Sequence, residues 1–463
     1  MRFLALFWLT MMLEGETIDR TRPPVTTDLP VYKLPPVSEH RLANGLEILL
    51  VHDNRLPLIH LRLGFPAGSK HDPPGLWGLS ETTAALLIEG TTKRSARQIA
   101  ELVTELGGAL RAYSGPDVLL IEGSVLAENF DPFLELTADV ARNANFPEDE
   151  VKLRKQNRKQ ELLAQRAQAD FLAQQRMAQV LFGLHPYAHQ EPTPETIDKL
   201  DRAALSAFRD RYLTPGRAVL VLVGDLPPTQ KTLRMLESKL GDWPSKPAPA
   251  PPEARPPEPK RSIVLIDRPG SVQADLRIGR LAVTRRDPDY FPLLVANTIL
   301  GGGASSRLFM NIREKQGFAY DAHSAVNALE EAGTLEVVTQ VRNEVLGEAV
   351  QAVLAEMRRI AGEPVSADEL AATRNYLSGV FVIRLETQQA LAGQLAMTRL
   401  LGLPLDYLEQ YTLRVRAADA DQVRAAAARY ISPEQAAIVV VGDAAKIRPA
   451  LEKFGQVLQE EAP

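Results

Sequence analysis

The sequence predicts an α+β fold built twice: two homologous domains, each a mostly antiparallel or mixed β-sheet covered by helices. Three observations carry that expectation. The segment RYLTPGRAVLVLVGD, Arg211 to Asp225, returns as RYISPEQAAIVVVGD, Arg429 to Asp443, 218 positions later and without a gap. Strands and amphipathic helices follow one another in the same order around both copies. Between them, from Pro244 to Pro259, half of all residues are proline. Each copy of the repeat reads as a helix end, a proline turn, a buried strand rich in Val and Ile, and a Gly-Asp turn. Fifteen aligned positions indicate duplication rather than a chance likeness between two apolar strands.

Taken in order, short apolar runs predict strands at Leu46 to Val51 and Leu58 to Phe65. Helices are predicted from Glu81 to Leu87 and from Ala96 to Leu106, then a strand from Val118 to Leu126. A charged helix is expected from Glu148 to Ala173. In the second half, strands at Ile263 to Asp267 and Ala274 to Leu281 precede a helix from Tyr290 to Leu300. A strand from Thr334 to Val341 and a helix from Glu344 to Ile360 follow. Sheets and helices in this order imply layered halves, each a sheet covered by helices. The proline stretch favours extended polyproline conformation and is expected to separate independently cored units. The predicted layout is an N-terminal segment over 1–35, a first domain over 36–243, a linker over 244–261 and a second domain over 262–463.

Composition narrows the chemistry. A chain of 463 residues with 45% hydrophobic and 24% charged residues has the makeup of a folded multidomain protein. A net charge of −5 with acids and bases interspersed offers no basic stripe for nucleic acid. There is no cysteine, which excludes disulfides, thiolate metal sites and cysteine nucleophiles and leaves His and carboxylates for metal chemistry. Phe3 to Leu13 is an apolar run behind Arg2, of signal-peptide length and too short to span a bilayer, so export to a periplasm-like compartment is expected. No A-x-A cleavage site follows it.

Two of the seven histidines, His185 and His189, lie four apart, but Pro186 between them predicts a surface loop rather than a ligand-bearing helix. The segment PGLWGLSETTAALLIEGTTKRS, Pro74 to Ser95, resembles the first motif of the pitrilysin/insulinase peptidases, Gly-x-x-His-x-x-Glu-His followed by Gly-Thr. Two His on one helical face can both reach a zinc ion while the Glu activates its water. Aligned on Gly90 and Thr91, this chain carries Glu81, Ala84 and Ala85 at the His, Glu and His positions. Glu161, on the charged helix, matches the place of the family's third ligand. One carboxylate without two imidazoles is a poor zinc site, so no metal is expected in this chain.

GGGASSRLFMNIREKQGFAYDAHSA, Gly301 to Ala325, resembles the family's second motif. There an Arg and, seven residues later, a Tyr reach toward substrate bound at the zinc; the positions here are Arg313 and Tyr320. A helix from Ser305 to about Gln316, ended by a left-handed Gly317, is expected to turn into a strand from Phe318 to Ser324. GGALRAYSGPD, Gly107 to Asp117, resembles the segment entering the edge strand on which family peptidases lay an extended substrate; Gly107, Gly108, Ala109 and Leu110 are the substrate-binding candidates. The resemblance implies a pitrilysin/LuxS-like metallohydrolase fold. It also implies a chain inactive alone that pairs with a homologous H-x-x-E-H subunit holding the zinc, the two together degrading unfolded peptides. The alternative is a non-enzymatic scaffold or peptide-binding subunit.

Overall fold

Runs of β-branched residues in both halves form strands that are buried on both faces, and the two sheets come out with matching connections. The computed structural model describes residues 32–189, 191–247, 255–258 and 260–462; the apolar run Phe3 to Leu13 and half of the proline-rich stretch lie outside them. The first sheet contains β1 (Ser38–Arg41), β2 (Glu47–His52), β3 (Leu58–Phe65), β4 (Ala109–Ser114), β5 (Leu119–Leu126) and β6 (Val219–Gly224), in the order β1-β2-β6-β3-β5-β4. The second contains β7 (Ser262–Asp267), β8 (Gln273–Ala282), β9 (Ala319–Ala328), β10 (Gly333–Arg342), β11 (Ala437–Gly442) and β12 (Val457–Glu461), in the order β12-β7-β11-β8-β10-β9.

The repeat strands β6 and β11 occupy equivalent places. Each pairs in parallel with the strand that opens its half, β2 or β7, and antiparallel with the next, β3 or β8. Even the register agrees, since Leu220 faces Leu63 where Ile438, the same position of the repeat, faces Ile278. At the far end of each sheet, β4 and β9 pair among the described residues on one side only, with β5 and β10.

One expectation fails in an informative way. The charged helix foreseen from Glu148 to Ala173 is two helices, Glu148–Arg166 and Ala169–Phe182, broken where Gln168 turns extended. After the break the chain crosses to the other half. Leu172, Met177 and Leu181 of the second helix pack with Val264, Ile266, Val439 and Val441 of the second sheet. Its counterpart, Gln388–Leu400, does the reverse: Leu391 and Leu395 share a core with Leu49, Val51, Leu120 and Val221 of the first sheet.

The halves are therefore not independently cored, because each sheet takes its cover from the other half. Apolar burial sets this arrangement, with each fully buried Leu contributing about 1.5 to 3 kcal/mol. The remaining face of the first sheet is closed from within its own half, by residues such as Phe130, Phe133, Leu205 and Phe208.

A polar hub ties the same junction. Lys70, 4% exposed, pairs with Asp117 at 3.3 Å, Glu330 at 2.5 Å and Glu331 at 3.1 Å. Burial alone would lower the Lys70 pKa, but the three carboxylates outweigh it and hold the ammonium above its usual range. His185 joins this hub rather than a surface loop. It is fully buried, its Nδ1 accepts from the Tyr187 backbone N–H at 3.2 Å, and its Nε2 lies 3.1 Å from Glu331. Its hydrogen-bond partner Glu331 is 146 residues away, beyond the reach of local pattern. His189 stacks on Trp77 with ring centroids 4.2 Å apart.

Candidate functional site

The helix Leu79–Leu86 is placed by Asp72, whose carboxylate accepts from the backbone N–H groups of Gly78 at 2.9 Å and Ser80 at 2.8 Å. Orphan N–H groups of the first turn are thereby satisfied. Glu81 projects from that turn toward helix Glu148–Arg166, where Arg154, Arg158 and Glu161 lie four and three residues apart on one face. Arg154 reaches Glu81 at 2.8 Å and Glu161 at 3.1 Å. Arg158, nearly buried, reaches Glu81 at 3.1 Å and also pairs with Glu191. Burial pushes the Glu191 carboxyl up, Arg158 opposes this, and Glu81 adds to it.

The sequence-predicted positions Glu81 and Glu161 are thus brought together, around two guanidinium groups beside a cavity of about 380 Å³. Ala84 is fully buried and Ala85 half-buried, and neither offers a ligating atom. A zinc ion does not fit this set, since two arginines already occupy the carboxylates and would repel a dication. No group of three or more His, Asp or Glu among the described residues is placed to hold a metal. Arg154, Arg158 and Glu191 escaped the sequence reading, although the Arg154, Arg158, Glu161 spacing marks one helical face. Replacing Arg158 with Met should leave three carboxylates facing one guanidinium and lower stability by about 1.5 to 3 kcal/mol in urea unfolding. Adding Glu191→Gln should recover part of that loss.

In the second half, the segment foreseen as an α-helix from Ser305 is a π-helix over Phe309–Lys315. Such wide turns occur rarely and often at functional sites. Phe318 N–H reaches back to Ile312 O at 3.0 Å, and Gly317 takes φ +64°, as its place at the helix end requires. Gly317→Ala should cost about 1 to 2 kcal/mol, read as a fall in urea midpoint, because a Cβ crowds the carbonyl in that conformation. The strand then runs from Ala319 to Ala328, longer than foreseen.

The Arg313 guanidinium lies over two rings, 4.7 Å from the Phe309 centroid and 4.9 Å from that of Tyr320. Among the described residues its one ion pair is with the neighbouring Glu314, at 3.4 Å. Tyr320 is 85% exposed and its hydroxyl makes no hydrogen bond within the described chain. Stacking of this kind orients both side chains while leaving the guanidinium edge and the phenol free to donate outward. No hydrogen bond or ion pair joins this pair to the Glu81 cluster.

Gly107, at φ +60°, and Gly108 lead into β4, the edge strand of the first sheet. Ala109 is exposed and Leu110 half-buried, and among the described residues their strand bonds to β5 alone. No helix among the described residues is long and apolar enough to cross a membrane.

Comparison with known proteins agrees with this architecture. Residues 47–190 match the family described as Insulinase (Peptidase family M16), and residues 199–377 match the Peptidase M16 inactive domain. An uncharacterized zinc protease of Bacillus subtilis is 25% identical over 357 residues, covering 76% of this chain and 85% of that protein. One from Mycobacterium leprae is 23% identical, covering 86% and 90%. A crystal structure titled peptidase M16 inactive domain, from Pseudomonas fluorescens, superposes with a TM-score of 0.82 at 28% identity, covering 92% of this chain and 99% of that one. A protease from Helicobacter pylori shares the fold, with a TM-score of 0.82 at 21% identity over 89% of this chain and all of that one. With its duplicated sheets and both halves matched, the chain belongs to the insulinase family of M16 peptidases.

Proposed function

We propose that this chain is the half of a two-chain zinc endopeptidase that does not carry the metal. A homologous subunit bearing H-x-x-E-H supplies the zinc, and this chain supplies Arg313 and Tyr320 together with the β4 edge. The observation that carries the reading is the asymmetry between its two motifs. Glu81 and Glu161 are consumed by internal ion pairs with Arg154 and Arg158. Arg313 and Tyr320 are oriented against each other, Arg313 is paired with its exposed neighbour Glu314, and the Tyr320 hydroxyl has no hydrogen bond among the described residues. A guanidinium can hold a substrate carbonyl, and a phenol can donate to the oxyanion forming at the scissile carbon.

The open side of β4 would take an extended peptide as an added strand, through Gly107, Gly108, Ala109 and Leu110, reading its backbone rather than its sequence. The substrates are then unfolded peptides of varied sequence. The test is to purify this chain and an H-x-x-E-H homologue and assay each alone and mixed on an unstructured peptide. Cleavage by the mixture, abolished by a chelator and absent from this chain alone, is the expected result. Stoichiometric zinc or peptidase activity in the lone chain would overturn the assignment. A stable but inactive pair would favour the scaffold role. Export, through Phe3 to Leu13, is the companion proposal, tested by locating the protein in fractionated cells.

A further inference from the structure

Beside the open edge of β4 lies a separate cavity of about 320 Å³, and its floor is two cross-strand rows. Arg62, Glu122 and Arg111 stand opposite one another on β3, β5 and β4, and so do His60, Ser124 and Ala109. Directly opposed residues share a face of the sheet, so all six project the same way. Gln389, on the helix contributed by the second half, closes one side.

The charges on this floor do not balance. Glu122 accepts from Arg111 Nε at 2.8 Å and from the Tyr113 hydroxyl at 2.8 Å, and its Oε1 lies 3.1 Å from Arg62 Nε. Two guanidinium groups therefore share one carboxylate. Arg62 is 4% exposed, and His60 and Glu122 are each 8% exposed, so solvent screens these three poorly, while Arg111 carries the positive charge out to the surface. Burial, followed by the nearby Arg62, lowers the His60 pKa and keeps its ring neutral. One polar atom on this floor, His60 Nδ1, is buried without a hydrogen bond among the described residues, whereas Arg62 Nε keeps its contact with Glu122. Buried polar atoms are ordinarily satisfied, and those that are not call for an explanation such as a ligand.

We infer that this cavity is a carboxylate-recognising subsite for a peptide laid along β4. The inference rests on the proposal that β4 binds an extended peptide. A peptide residue paired opposite Arg111 continues the row Arg62, Glu122, Arg111 and points its side chain onto the same face. The Arg111 side chain, 67% exposed, is the first donor that it meets. One unbalanced positive charge matches a carboxylate rather than a phosphate, which carries nearly two negative charges. The carboxylate comes from an acidic side chain or from the peptide's own C-terminus.

Three fluorescent twelve-residue peptides of Ala, Ser and Gly separate these sources. One carries a central Glu and an amidated end, one a central Gln and a free C-terminus, and one a central Gln and an amidated end. Anisotropy titrations with the full chain at low salt should show the first or the second binding at least tenfold more tightly than the third. Arg111→Gln, at an exposed position, should erase that preference, and so should Ser124→Leu, which fills the cavity while keeping Arg111. Equal binding of all three peptides would overturn the subsite and leave the β4 proposal standing. Absence of binding by any of them would overturn both. A preference that survives in both variants would place the carboxylate elsewhere and overturn the subsite.

Discussion

Tyr320→Phe is expected to lower turnover of the assembled two-chain peptidase about 100- to 1,000-fold while leaving KM, folding and subunit assembly nearly unchanged. The variant removes one hydroxyl that makes no hydrogen bond among the described residues, from a side chain that is 85% exposed, so the folded state has little to lose. The cost falls on the transition state, where removal of one oxyanion donor typically amounts to about 3 to 4 kcal/mol. Retention of the ring preserves the stack with Arg313 and separates loss of the donor from loss of orientation. Steady-state kinetics of the mixed chains, with thermal melts and gel filtration as controls, reads the result. An unchanged kcat would remove Tyr320 from the reaction, and an equal loss in KM would make it a binding residue.

Leu395→Ala should destabilise both halves together, by about 2 to 5 kcal/mol, in a single cooperative transition. Leu395 belongs to the second half but is fully buried in the core that it shares with the first sheet. None of the three tryptophans, Trp8, Trp77 and Trp243, lies in the second half, so a change in their fluorescence reports the first, while far-ultraviolet circular dichroism reports the whole chain. The two signals should shift by the same amount in urea. A tryptophan transition left in place while the dichroism moved would show that the halves unfold separately.

Much of the fold was legible in the sequence because the repeat Arg211 to Asp225 and Arg429 to Asp443 is a local pattern. It fixed the strands β6 and β11 and, through them, the two-sheet plan. Gly317 was equally readable, since a glycine after a helical run marks a left-handed end. The exchange of helices was not. Periodicity tells which face of a helix is apolar, but not which sheet will cover it, and the expected single helix from Glu148 to Ala173 concealed the crossing at Gln168.

The site divides along the same line. Glu81, Glu161, Arg313 and Tyr320 were found from motifs, whereas the pairing of Arg154 with Glu81 spans 73 residues and leaves no local trace. The π-helical form of Phe309–Lys315 likewise has no sequence pattern that separates it from an α-helix.

The reciprocal covering of the sheets bears on how such a chain can be divided or can have arisen. Half of it, expressed alone, would keep the helix that belongs on the missing sheet and leave the Val- and Leu-rich face of its own sheet bare to water. Two copies of one half could satisfy each other by trading that helix, which is the bonding plan of a swapped dimer. The single chain is in this sense a dimer whose subunits have been joined, and its smallest stable piece is the pair.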